Sequence, residues 1–119
     1  MLRAPDDATE PMTFGTVRFA VEDAGAPVGT CELRDASPEH RRATAYVSVR
    51  ADCHDEALRA LCRFAFDTMN LAKVEVVTDD PVPYEAVGFV REVRRERALW
   101  SGGARRDEHL LGLLPGELR

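Results

Sequence analysis

The sequence predicts an α+β domain: a mixed, twisted sheet of about six to seven strands with one long helix and one short helix. Three observations lead there. Between residues 17 and 49, apolar and polar residues alternate in three successive runs separated by turn residues, which is the two-residue period of half-buried strands. Residues 55–70 then change to helical spacing. A further strand pattern follows at 73–78, and a strand reached through a helix takes a parallel neighbour, so the sheet must be mixed.

Residues 1–13 are polar and carry Pro5, Pro11 and the acids Asp6, Asp7 and Glu10. They are expected to form a flexible or edge arm of a single 119-residue domain. The first clear strand is Val17–Glu22, with Val17, Phe19 and Val21 on one face. Asp23-Ala24-Gly25-Ala26-Pro27 is a turn, and Val28–Asp35 returns as its hairpin partner. A loop of breakers and charges, Ala36–Arg42, leads to Ala43–Val49, where Ala43, Ala45, Val47 and Val49 share a side. Together these make a meander.

The long helix is expected over Asp55–Asn70. Leu58, Leu61, Cys62, Ala65 and Met69 form its apolar stripe, and Glu56, Arg59, Arg63 and Asp67 its polar face, with Arg63 and Asp67 spaced as an i,i+4 pair. Asp52 is the expected N-cap, Asp55 makes the first turn acidic, and Asn70 is the expected left-handed stop. After the strand Lys73–Thr78, the run Asp79-Asp80-Pro81-Val82-Pro83 leaves one or two helical turns from Pro83 to Val87, ended by Gly88. Val90–Trp100 reads as a long charged strand, Ser101-Gly102-Gly103 as a turn and Glu108–Leu114 as a final strand.

Composition narrows the function. A net charge of −5 argues against a general nucleic-acid surface, which needs concentrated positive field. Lys73 is the only lysine among 16 basic residues, as a high-GC coding bias would give. Three cysteines without paired short spacing argue against a disulfide framework and for a reducing compartment. No apolar run reaches membrane-spanning length, and Met1–Asp7 lacks the apolar core of a signal peptide, so a cytoplasmic location is expected.

Three segments carry a family resemblance: Ala57–Phe66, then Met69-Asn70-Leu71-Ala72-Lys73-Val74-Glu75-Val76, then Tyr84-Glu85-Ala86-Val87-Gly88-Phe89-Val90. A long helix turning through Asn-Leu into a strand, followed by a tyrosine-bearing short helix closing on Gly-Phe, resembles the GNAT superfamily of acyl-CoA-dependent N-acetyltransferases. Within it, the branch that acetylates ribosomal-protein N-termini is the most similar. The likeness runs from about residue 16 to 114. It implies that CoA lies in the splay between strands 43–49 and 73–78, contacting Val47, Val49, Arg50 and His54. It also implies that Tyr84 is the acid that protonates the departing thiolate.

The sequence departs from that pattern at the junction Arg50-Ala51-Asp52-Cys53-His54. The family places a glycine-rich loop there, whose backbone N–H groups and helix N-terminus hold the pyrophosphate. Here no glycine occurs between Gly29 and Gly88, and Asp52, Asp55 and Glu56 put negative charge where phosphates would sit. The short helix ahead of Tyr84 is cut back by Pro81 and Pro83. No base stands on strand 43–49, since Thr44, Tyr46 and Ser48 do not serve at neutral pH; Glu32, Glu75 and His40 are the candidates from neighbouring segments. The helices the family carries between its first two strands are also missing.

The reading that follows is a trimmed, degenerate GNAT fold acting as a binding, assembly or regulatory module, with no cofactor expected. The alternative is an active N-acetyltransferase using acetyl-CoA on an amine or protein N-terminus, and a third keeps the cleft for other small-molecule chemistry. No metal is expected, because Cys31, Cys53, Cys62, His40 and His54 lack ligand spacing. Cys53, beside His54 and the helix N-terminus, is the one candidate nucleophilic thiol. Arg91, Arg94, Arg95, Arg97, Arg105 and Arg106 concentrate on the C-terminal hairpin, and Trp100 lies beside its turn. A solvated strand accounts for those arginines. The sheet face left uncovered by the missing helices points to a homodimer through that hairpin, with a protein or small molecule as further partner and neither nucleic acid nor membrane.

Overall fold

The computed structural model describes residues 2–3, 15–37 and 39–119. A short edge strand β1 (Leu2–Arg3) pairs with β2 (Thr16–Asp23), and β2 with β3 (Ala26–Arg34), both antiparallel. Ala24 and Gly25 make the β2–β3 turn at φ 52° and 82°, the left-handed pair whose twist suits a two-residue hairpin. The register sets Phe19 opposite Cys31 and Val17 opposite Leu33, so the apolar residues of both strands share one face. Strand β4 (Arg42–Val49) continues the meander.

Beyond β4, a 3-10 turn (Ala51–Cys53) leads into α1 (His54–Arg63), which runs on as a π turn (Phe64–Thr68). Asn70 stops it at φ 56°, as its side chain permits. Three expectations change here. Asp52 does not cap the helix; its carboxylate is held by Arg50. The 16-residue span divides into α and π segments, and the wider turn lets Phe64 pack edge-on against Phe19 at 4.8 Å. No Arg63–Asp67 ion pair forms among the described residues; the i,i+4 pair of this helix is Asp55–Arg59 at 2.8 Å.

Strand β5 (Lys73–Thr78) lies parallel to β4, and the four-residue α2 (Val82–Glu85) follows it. The closing hairpin is β6 (Val90–Ser101) and β7 (Ala104–Leu113), with Gly102 and Gly103 at its tip. β7 begins four residues earlier than its apolar pattern indicates, because a charged hairpin end needs no buried face. The sheet order is β1-β2-β3-β4-β5-β7-β6, mixed by the single parallel pair.

One core lies between the sheet and α1. Val21, Cys31, Leu33, Val74, Val76, Leu111 and Leu113 meet Leu58, Leu61 and Cys62 there. Val87 and Phe89 seal the α2 end. Gly88, at φ 119°, sits beneath the C-terminal segment, where Arg119 donates its N–H to Val87 and any Cβ would run into the Glu117 carbonyl. The opposite sheet face carries Tyr46, Val77 and Val93, each between 41 and 45% exposed, and no helix among the described residues covers it. None of the described helices is long and apolar enough to cross a membrane.

Candidate functional site

Parallel strands part where their pairing stops. β4 and β5 are in register only at Arg42–Lys73, Ala43–Val74 and Thr44–Glu75. Beyond those pairs the two strands diverge, and a cleft of about 270 Å³ opens between them. Ala45 and Val47 line it from the helix-bearing side, Tyr46 and Ser48 from the open side. Side chains alternate faces along a strand, so the cleft passes through the plane of the sheet.

Tyr84 stands on its helix-side wall. The ring packs edge-on against His54 at 5.4 Å and Phe89 at 5.9 Å between centroids. Burial, aided by Asp80 and Asp79, raises its pKa, so the phenol keeps its proton throughout the neutral range. His54 moves the other way: burial lowers its pKa against the weaker pull of Asp55, which favours a neutral imidazole.

On the open side, Glu32 is gripped by two guanidiniums. Arg34 Nε donates to it at 2.8 Å and Arg18 Nε at 3.3 Å. The Arg34 hydrogen bond in particular holds its carboxyl below the usual carboxylate range. Glu32 is therefore an anion and a poor proton acceptor. The Arg34 guanidinium also lies over the Tyr46 ring, 4.1 Å from the centroid.

The junction between β4 and α1 holds no anion cradle. Arg50 donates its N–H to Val28, Cys53 donates to Arg50, and His54 donates to Ala51, so three of the donors at this corner are already bonded. The Arg50 side chain reaches Asp52 at 2.5 Å and Asp23 at 2.9 Å. Its charge faces two carboxylates, and Asp55 and Glu56 follow in the exposed first turn. A pyrophosphate does not fit these surroundings.

Of the residues singled out in the sequence, Val47 and Tyr84 line the cleft. Val49 pairs with Gly29 in the sheet, Arg50 is tied to its two aspartates, and His54 abuts Tyr84. Among the candidate bases only Glu32 reaches the cleft; Glu75 pairs with Arg42 at 3.6 Å and His40 lies in an exposed turn. Cys53 is not an activated thiol, because burial and Asp52 raise its pKa. Cys31 and Cys62 are buried and pushed up to about 12. Asp23, Asp52 and Cys53 do converge, but the cation that draws the two carboxylates together is Arg50. Four of the six hairpin arginines pair within the chain: Arg91 with Glu85, Arg94 with Asp107, Arg95 with Glu108 and Arg106 with Asp79. Sequence reasoning missed Arg34 as a cleft residue. Its only signal was the alternation that sets Glu32 and Arg34 on the face opposite Leu33.

No protein-family model matches the sequence, and no curated protein matches it. Solved structures do. Spermidine N-acetyltransferase SpeG from Vibrio cholerae in complex with CoA and spermine aligns at TM-score 0.77 with 23% identity, over 87% of this chain and 68% of that one. Glutamate-to-glutamine variants of that enzyme align at 0.78 with 22% identity, over 88% and 70%. Its dodecameric form aligns at 0.78 with 23% identity, over 86% and 66%. The chain has the GNAT fold. It spans about two thirds of the length of these neighbours. In GNAT terms the splay is present and the tyrosine lines it, while the phosphate loop is replaced by a short, glycine-free acidic corner.

Proposed function

We propose that the chain transfers an acyl group from a thioester to an amine in the β4–β5 splay, holding the donor by its thioester arm and not by its pyrophosphate. The observation that carries this is the open splay with a protonated phenol on its wall. That the GNAT neighbours are N-acetyltransferases, one of them bound to CoA, supports the choice of chemistry. The amine nitrogen attacks the thioester carbonyl carbon, and the C–S bond breaks as the C–N bond is completed. Sulfur leaves as thiolate and takes the Tyr84 proton, the surplus ammonium proton passes to water, and Tyr84 recovers its own from solvent.

The test is amine-dependent release of free thiol from acetyl-CoA, paired with a melting-temperature rise when millimolar acetyl-CoA is added. Neither signal across a panel of amines would rule the reading out. A second reading, a non-catalytic binding module, draws on the occupied donors at the junction and on His54 packed against Tyr84. It expects no thermal response to any acyl thioester, so the same experiment separates the two. The protein is further proposed to be cytoplasmic and to self-associate through the β6–β7 hairpin, where Trp100 is 69% exposed. The dodecamer of the Vibrio enzyme supports self-association as a mode for this fold. A monomer by light scattering at tens of micromolar would contradict it.

A further inference from the structure

We infer that the amine accepted in the cleft carries its own carboxylate, as an amino acid or short peptide does, and is not a polycation. The inference rests on the acyl-transfer reading for its chemistry and on the open side of the cleft for its substance. A polyamine needs unpaired carboxylates to hold its spaced ammonium groups. Among the described residues the one carboxylate lining this cleft is Glu32, and it is shared by two guanidiniums, Arg34 and Arg18. Arg18, from outside the lining, joins Arg34 on that one carboxylate, so Glu32 has little charge left to offer an ammonium group. Glu75, also on that face, is paired with Arg42, and Asp79, near Tyr84, with Arg106.

Arg34 is built to receive an anion. Glu32 takes its Nε and, more weakly, Nη2, so the plane of the guanidinium is fixed, while among the described residues no carboxylate pairs with Nη1. The Tyr46 ring beneath it fixes the second dimension. A half-exposed arginine held in both directions loses little further freedom when a carboxylate docks. Arg34 and Tyr84 line the same cleft from opposite sheet faces. A ligand with a carboxylate on the first places its amine toward the second.

The test measures binding without any acyl donor, so it stands apart from the question of catalysis. The 15N-labelled protein is titrated with glycylglycine, with glycylglycinamide and with spermidine, following the arginine Nε–H signals. Glycylglycine is expected to move the Arg34 signal and to bind about tenfold more tightly than its amide, with spermidine weaker still. Arg34→Gln should remove that tenfold preference, and Arg34→Lys should keep part of it, since charge remains but the planar fork is lost. Spermidine binding more tightly than glycylglycine, or an unchanged preference in a folded Arg34→Gln protein, would overturn the inference. If binding follows the prediction but no thiol is released from acetyl-CoA, the acyl-transfer reading fails and the ligand class stands.

Discussion

Removing the nucleotide from the donor should cost this protein almost nothing. In a glycine-rich phosphate loop, three backbone N–H groups bonded to a pyrophosphate contribute roughly 1.5 kcal/mol each, on the order of a thousandfold in affinity. Here the N–H groups of Arg50, Cys53 and His54 are bonded to Val28, Arg50 and Ala51. The one nearby guanidinium is held by Asp23 and Asp52. S-acetylpantetheine, which keeps the thioester and the whole pantetheine arm but lacks the nucleotide, should therefore match acetyl-CoA within about threefold in KM. Added salt should not weaken acetyl-CoA, because the exposed acids Asp52, Asp55 and Glu56 repel its phosphates and salt screens repulsion as well as attraction. The assay is thiol release at saturating amine with each donor, at low and physiological ionic strength. A hundredfold preference for acetyl-CoA that falls with salt would refute the reasoning and reveal a phosphate site at this corner.

Other expectations follow from the same geometry. Tyr84→Phe should lower kcat by about a hundredfold or more with donor KM nearly unchanged, which steady-state kinetics would show. Because Cys31 and Cys62 have folded pKa values raised from 9.0 to about 12, the unfolded chain loses those protons first. Their stabilisation is complete below pH 9 and declines as pH rises toward 12, a slope that urea titrations should find reduced in Cys62→Ala. Gly88→Ala should destabilise by roughly 2 to 3 kcal/mol, since it combines a left-handed φ with a collision against the Glu117 carbonyl, and a near-neutral melting temperature would contradict that packing.

The fold was legible where periodicity and burial coincide. Leu58, Leu61 and Cys62 mark the buried helix stripe, Val74 and Val76 the central strand, and Asn70 the stop. The π turn at Phe64–Thr68 was not legible, because it depends on Phe64 finding Phe19 across 45 positions of sequence. At the site, the absent phosphate loop could be read directly from the missing glycines, and Tyr84 from its spacing to Gly88. The splay could be read only through resemblance, since no local pattern tells where β4 and β5 cease to pair. Arg34 stayed hidden for a related reason. Its role depends on Glu32, Tyr46 and Arg18 meeting on one face, and an alternating strand pattern labels that face merely polar.

The most direct measurement is an amide chemical-shift map of the protein with S-acetylpantetheine. The account predicts shifts at Ala45–Val47, Val77 and Tyr84, the walls of the splay, with Asp52–His54 little changed. A response centred on the β4–α1 corner, or none at all at millimolar thioester, would contradict it.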